Sequence, residues 1–135
     1  MPHKVLVSID VTSEQLELIS SSGDVEITVK NQKNLTAEDV HDKEIIVGNI
    51  APALTKEAKA LKFLQLNSAG FDNYVGVLDK NVKLCTSVGA FSPAVGEHML
   101  AMTFSIIRHF PEYRDKQLNK DWSDCGKIIS VENST

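Results

Sequence analysis

The sequence predicts an α/β fold: a doubly wound parallel sheet of about five strands, with a long apolar helix near the C-terminus. Three observations lead to this fold class. Short β-branched apolar runs recur along the chain, helix-like segments lie between them, and the alternation holds from residue 4 to residue 109. Strands that alternate with helices in this way form βαβ units, which place helices on both faces of a parallel sheet.

The first elements of the chain have clear local signals. The run KVLVSI at 4–9 has no polar alternation, which is typical of a strand covered on both faces. The segment 12–20 has an apolar side, and either Thr12 or Ser13 can cap it as a helix. The run VEITVK at 25–30 alternates with period two, which predicts a strand with one wetter face near an edge of the sheet.

The middle of the chain repeats this strand and helix pattern. Residues 36–43 predict a short helical turn capped by a threonine, and residues 44–50 predict a third strand that ends in Gly-Asn. A helix is expected over 52–60, because the proline near its first turn lacks an N–H group that would be unpaired anyway. The fourth strand is expected at 61–66, followed by NSAG and a short helical turn over 71–79.

The last third of the chain predicts a fifth strand at 81–88 and a long helix from about 93 to 109. Ser92 is the expected cap of this helix, with the following proline as its first residue. From 99 to 107 the only polar residues are one threonine and one serine, so the helix is apolar nearly all round. A small domain can cover only one side of this helix, and the apolar side that stays uncovered predicts an interface with another domain or subunit. A second helical piece is expected over 112–122.

Composition and charge exclude several classes of function. The net charge is −4 and the basic residues are scattered, which argues against a nucleic-acid surface. No apolar stretch reaches the ~20 residues that a membrane span needs, and the chain starts directly with a strand-like run, without a signal peptide. Cys85 and Cys125 are therefore expected to be free thiols of a cytoplasmic protein.

Residue patterns that mark catalytic or metal sites are otherwise missing from the sequence. None of the four histidines has metal-ligand spacing, so no metal site is expected. The sequence contains no P-loop, G-x-S-x-G or G-x-G-x-x-G motif. Glu97 and His98 are adjacent in a helix, where neighbouring side chains point in different directions, so we do not expect them to act as a pair.

Three strand exits carry small residues, at 48–50, 68–70 and 87–89. Ligands of parallel α/β sheets bind outside the carboxyl ends of the strands. Free N–H groups on such turns can bind an anion such as a carboxylate. The alternative is that these are ordinary connections between strands and helices, in which glycine is common.

Two long segments carry a family resemblance. LKFLQLNSAGFDNYV, followed by VKLCTSVGAFSPAVGEHMLAMTFSIIRHFPEYRDKQLNKDW, resembles the NAD-dependent D-2-hydroxyacid dehydrogenases over about residues 3–122. The shared features are S-x-G-x-D after an apolar strand, a V-A-E-H-like helix that ends in arginine, and a later tryptophan. The resemblance implies a flavodoxin-like substrate-binding domain formed by 1–90 plus 91–122, with a tail at 123–135. It also implies that the NAD-binding domain of the complete enzyme is absent from these residues.

The resemblance further assigns residues to the site. In the family, backbone N–H groups of the S-x-G turn hold the substrate carboxylate, which here implies those of Ala69 and Gly70. The residues implied for substrate binding are Asn49, Ile50, Ser68, Ala69, Gly70 and Phe71. The residues implied for contact with the cofactor are Phe91 and Val95. No catalytic residue is expected in this chain, because the family's arginine, glutamate and histidine lie in a later part.

The expected partners follow from the same resemblance. They are a small 2-hydroxy or 2-keto acid, the chain's own nucleotide-binding domain, and a second copy in a homodimer. The cofactor would be NAD or NADP in the complete enzyme, with none bound to this chain alone, which is expected to be inactive by itself. The residues leave one alternative open: a stand-alone flavodoxin-like binding or dimerisation module without catalysis.

Overall fold

In a computed structural model that describes residues 1–132, the chain forms two compact units. The first unit, Met1–Gly89, contains the strands of the described chain, and the second begins at Ala90 and contains two helices. The last three residues of the predicted tail at 123–135 lie outside the described residues.

One parallel sheet organises the first unit. Its strands are β1 (His3–Val7), β2 (Val25–Val29), β3 (Ile45–Val47), β4 (Phe63–Gln65) and β5 (Lys83–Cys85). They pair in the order β2-β1-β3-β4-β5, and every pair is parallel. This is the flavodoxin-like order, so the predicted fold class is confirmed, and β2 lies at an edge as its alternation predicted.

Short helices connect these strands. They are α1 (Ser13–Ser21), α2 (Ala37–His41) and α3 (Pro52–Thr55), with 3-10 turns at Gln32–Asn34 and Asp72–Tyr74. The connection from β1 to β2 runs toward one edge of the sheet, and the later connections run toward the other. Since such connections are right-handed, α1 lies on one face of the sheet and α2 and α3 lie on the other.

The helix boundaries follow local hydrogen bonds. Of the two predicted caps, Thr12 is the one that caps α1, because its hydroxyl oxygen accepts from the N–H of Gln15 at 3.3 Å. The helix predicted over 52–60 is wrong in length and ends at Thr55, whose hydroxyl donates to the carbonyl of Pro52 at 2.6 Å. The helical turn predicted over 71–79 is also too long, since Gly76 has a φ of +75° that no helix continues through.

The core of the first unit lies on the face of the sheet that carries α2 and α3. Its sheet residues share one register across the inner strands: Leu6 pairs with Ile46, which pairs with Leu64. All three are fully buried. The other core residues are Val40, Ile50, Ala58, Leu61, Leu66 and Tyr74.

The second unit contains α4 (Ser92–Ile107) and α5 (Phe110–Leu118), joined through a left-handed residue, His109. The predicted cap of α4 is wrong by one position. Phe91 is the flanking residue, and its carbonyl accepts from the N–H of Val95 at 2.9 Å, so Ser92 is already helical. Proline fits at the second helical position as well as at the first, because neither N–H has a helical partner.

The apolar side chains of α4 are largely exposed in the single chain. No residue of α4 or α5 is buried among the described residues. The large apolar side chains that α4 exposes are Val95, Met99, Leu100, Met102, Phe104 and Ile106. Within the described part of the chain, no helix is long and apolar enough to cross a membrane.

Candidate functional site

The carboxyl ends of β1, β3, β4 and β5 lie along one edge of the sheet, where ligands of this architecture bind. The order of strands changes direction between β1 and β3, so the crevice is expected next to that pair. Sequence reasoning singled out the exits of β3, β4 and β5 and missed the exit of β1. The signal that could have found it is the polar pair Ser8 and Asp10 around an isoleucine, directly after the first buried run.

The exits of β1 and β3 approach each other closely. Ser8 is buried, and its hydroxyl donates to the carbonyl of Val47 at 3.1 Å. Gly48 follows with a φ of +121°, and a Cβ on it would lie 2.2 Å from the Ser8 hydroxyl oxygen. Only glycine fits this position, so the close packing of the two exits explains the Gly-Asn end of the third strand.

The exit of β3 is joined to the exit of β4 by the Asn49 side chain. Its carbonyl oxygen Oδ1 accepts from the N–H of Asn67 at 3.1 Å. The Ser68 hydroxyl lies 3.5 Å from the same oxygen and donates over a shorter 2.9 Å to the carbonyl of Gly70. The structure therefore brings Asn49 and Ser68 together, and the Oδ1 atom of Asn49 is already hydrogen-bonded to the protein backbone.

The turn at 68–71 exposes two backbone donors. Ala69 and Gly70 are both exposed, and within residues 1–132 their N–H groups have no protein acceptor. Phe71, beside them, is 47% exposed. The space at Gly70 is open, since the nearest atom to an added Cβ is a carboxylate oxygen of Asp72 at 3.9 Å. The donors suit an anion, and the Asp72 carboxylate nearby opposes its binding.

Ile50 and Tyr74 are joined by a buried hydrogen bond. The side chain of Ile50 is buried in the core. Its carbonyl accepts from the Tyr74 hydroxyl at 2.6 Å, and burial raises the pKa of that phenol. Tyr74 is a polar contact that sequence reasoning missed, because its partner lies 24 residues away in the chain.

A third hydrogen-bonded contact comes from the exit of β5. The N–H of Ser87 donates to the carbonyl of Ser68 at 2.9 Å, and the Ser87 hydroxyl donates to the carbonyl of Leu66 at 2.9 Å. Three neighbouring strand exits therefore form one hydrogen-bonded frame around the turn at 68–71.

The two residues assigned to the cofactor belong to the second unit. Phe91 is 61% exposed and Val95 is 54% exposed, and both stand at the start of α4. They present apolar surface, and neither side chain can bind a phosphate.

A cavity lies within the second unit. It measures about 620 Å³ and is lined by Phe110, Tyr113, Arg114, Gln117, Lys120, Asp121, Trp122 and Ser123. One of its lining groups is the Asp121 carboxyl, whose pKa is lowered because the N–H and the hydroxyl of Ser123 donate to it. We place the candidate site at the turn because it follows β4 at the carboxyl ends of the strands, is bonded to the exit of β3, and carries two free backbone donors.

Two carboxyl groups with lowered pKa values lie near the amino ends of the strands. A hydrogen bond from Lys62, and a second from His3, lower the pKa of Glu44 to about 2. Beside it, Lys4 and Lys43 lower the pKa of Asp42. These carboxylates form structural ion pairs before the strands begin. Among the described residues, no group of histidine, cysteine and carboxylate side chains could hold a metal ion. Cys85 and Cys125 are free thiols, as predicted.

No family model and no curated protein matches the sequence. Solved structures do match the fold. A D-isomer-specific 2-hydroxyacid dehydrogenase family protein from Aeromonas salmonicida has a TM-score of 0.79 at 18% identity, covering 96% of this chain and 43% of its own. The Aquifex aeolicus D-lactate dehydrogenase, solved with NAD and lactic acid, has a TM-score of 0.68 at 16% identity, with coverages of 95% and 40%.

A phosphoglycerate dehydrogenase from Lactobacillus plantarum matches with a TM-score of 0.52 at 24% identity, covering 94% of this chain and 43% of its own. The chain thus spans about two fifths of the length of the solved chains that it matches. Its structural neighbours are D-2-hydroxyacid dehydrogenases, as the sequence resemblance implied, and what the chain shares with one part of them is a flavodoxin-like fold.

Proposed function

We propose that these residues form the substrate-binding part of an NAD(P)-dependent D-2-hydroxyacid dehydrogenase, which interconverts a 2-hydroxy acid and a 2-keto acid. Structural neighbours with that activity in their descriptions support the proposal at the level of the fold. The quoted S-x-G-x-D segment supports it at the level of residues.

The observation that carries the proposal is the pair of free N–H groups at Ala69 and Gly70. They stand at the carboxyl edge of the sheet, and hydrogen bonds to neighbouring exits hold the turn on both sides. Two neighbouring backbone donors can each bond one oxygen of a carboxylate, and such charge-assisted bonds are each worth about 1.5–3 kcal/mol. Holding the carboxylate fixes the orientation of the adjacent C2 atom, at which the reaction takes place.

The cofactor would meet this part of the protein at Phe91 and Val95. Their exposed apolar side chains fit contact with a flat ring. The sequence has no G-x-G-x-x-G turn for the phosphates, so another part of the enzyme would hold the dinucleotide. When bound, the nicotinamide supplies or accepts the hydride. The contribution of the present residues is to bind and orient the acid.

Binding can be tested on the 135-residue chain by NMR. On titration with pyruvate, we expect saturable shifts of the Ala69 and Gly70 amide protons, with a Kd in the millimolar range because no second domain closes over the ligand. Methyl pyruvate, which lacks the charge, should cause no such shifts. Shifts of equal size with the ester, or none with pyruvate, would refute the carboxylate site.

A matched pair of variants makes the test specific. Gly70→Val should weaken pyruvate binding at least about tenfold, since a branched side chain would cover the donors. It should still fold, because the only atom within 4 Å of an added Cβ belongs to the Asp72 side chain. Gly23→Val is the control, since a Cβ there also meets nothing within 4 Å and the position is far along the chain from the turn.

A second copy of the chain is the proposed partner of α4. The helix exposes Leu100 by 61% and Phe104 by 43%, and apolar patches of this kind mark interfaces. This observation also favours the second candidate function, a dimerisation module without catalysis. The two functions differ in the pyruvate titration: a dimer whose turn does not bind a 2-keto acid would support the module.

A further inference from the structure

The exit of β3 holds the chain on both sides of the turn at 68–71. Before the turn, Oδ1 of Asn49 accepts from the N–H of Asn67 at 3.1 Å. After the turn, the hydroxyl of Tyr74 donates to the carbonyl of Ile50 at 2.6 Å. Asn49 and Ile50 are consecutive, so one short segment fixes both ends of the turn, through the side chain of Asn49 and the backbone of Ile50.

Tyr74 is well suited to this role. Its side chain is only 7% exposed, and its acceptor is the carbonyl of a residue whose own side chain is buried in the core. Its N–H donates to the carbonyl of Phe71 at 2.9 Å, which ties the tyrosine to the last residue of the turn. A movement of the tyrosine ring would therefore be transmitted directly to the turn.

We infer that Tyr74 and Asn49 are positioning residues, which hold the N–H groups of Ala69 and Gly70 in the geometry that a carboxylate needs. Neither residue has to touch the ligand, because each acts through the backbone of the turn. A donor pair that is already ordered loses less conformational entropy on binding. This inference rests on the proposed function for its ligand, and on the hydrogen bonds alone for its structural part.

The chain offers a matched control for Tyr74→Phe. Thr55 is 8% exposed, and its hydroxyl also donates to a backbone carbonyl at 2.6 Å, that of Pro52. Thr55→Val and Tyr74→Phe therefore each delete one buried hydroxyl with the same kind of partner. We expect a similar decrease in the urea midpoint from both. Only Tyr74→Phe should raise the pyruvate Kd, by about fivefold, because binding would then also have to order the turn.

Amide hydrogen exchange tests, without a ligand, whether the Asn49 and Tyr74 hydrogen bonds hold the turn; we call this pair of bonds the clamp. The N–H of Ser87 donates to the carbonyl of Ser68, so its exchange rate reports the order of the turn. Tyr74→Phe should speed this exchange. Thr55→Val should change the exchange rate only as much as its effect on overall stability requires. For Asn49, exchange of the Asn67 amide should speed up in Asn49→Ala and recover in Asn49→Asp, which retains the acceptor oxygen.

The outcomes separate the two claims. If wild-type protein does not bind pyruvate but the exchange rates change as expected, the proposed function fails and the clamp stands. If pyruvate binds and Tyr74→Phe has the same Kd and the same Ser87 exchange as Thr55→Val, the positioning role is refuted while the carboxylate site remains.

Discussion

Gly48 ends β3 where β1 and β3 lie side by side, and replacing it with alanine should destabilise the fold strongly. Its φ of +121° is rarely adopted by residues with a side chain, at a cost of about 1–3 kcal/mol. The added Cβ would lie 2.2 Å from the hydroxyl oxygen and 3.2 Å from the carbonyl carbon of Ser8, so buried atoms must move. Overpacking of this kind costs about 1–3 kcal/mol more. We expect a total of about 2–6 kcal/mol, a large part of the stability of a small domain.

Urea unfolding followed by circular dichroism measures this loss, and a double-mutant cycle separates its causes. Ser8→Ala alone should cost about 1 kcal/mol, because the hydrogen bond to Val47 is lost. Combined with Gly48→Ala, it should cost less than the sum, since the shortest clash disappears while the backbone strain remains. Gly23→Ala is the control, and should stay within about 0.5 kcal/mol of the wild type because its surroundings are open.

Two results would contradict this reasoning. A Gly48→Ala variant within about 0.5 kcal/mol of the wild type would mean that the backbone is not held in the positive-φ conformation. Full additivity with Ser8→Ala would mean that the two strand exits do not touch, and the crevice between them would then have a different shape.

Three further predictions concern acid stability, activity and assembly. Hydrogen bonds from Lys62 and His3 lower the pKa of Glu44 from an ordinary 4.5 to about 2. The ionised carboxylate therefore contributes fully to stability above about pH 4.5, and this contribution is lost as the pH falls toward 2. Urea midpoints of Glu44→Gln should depend less on pH over that interval than those of the wild type. The purified 135-residue chain should not oxidise NADH in the presence of pyruvate, and a measurable rate, read as absorbance loss, would refute the proposal that another part holds the cofactor. Light scattering should give a dimer mass for the wild type and a monomer mass for Leu100→Glu; a monomeric wild type would refute the second copy as the partner of α4.

The alternation of strands and helices was sufficient to predict the architecture of the first unit. The unbroken apolar run around Leu6 and the alternating run of β2 correctly predicted a central and an edge strand. Thr12 was predictable as a cap because its partner lies three residues away. Signals that act within a few residues are contained in the local sequence.

Long-range contacts were not predictable in the same way. The Tyr74 hydroxyl and the Ile50 carbonyl are brought together by the sheet, and nothing near either residue in the sequence indicates the pairing. The early end of α3 depends on the Thr55 hydroxyl, which competes with the backbone for a carbonyl. At the start of α4, serine and proline fit either of two adjacent registers, so the local pattern left the first residue open.

The sheet order has a consequence for how this protein would associate at high concentration. β2 and β5 are the edge strands, and each leaves one row of backbone donors and acceptors available to another chain. β5 is only three residues long and begins with Lys83, while Lys30 directly follows β2. The shortness of β5 and the charged side chains at both edges disfavour the addition of strands from other molecules. Concentrated protein should therefore resist the continuous cross-strand growth that produces fibres.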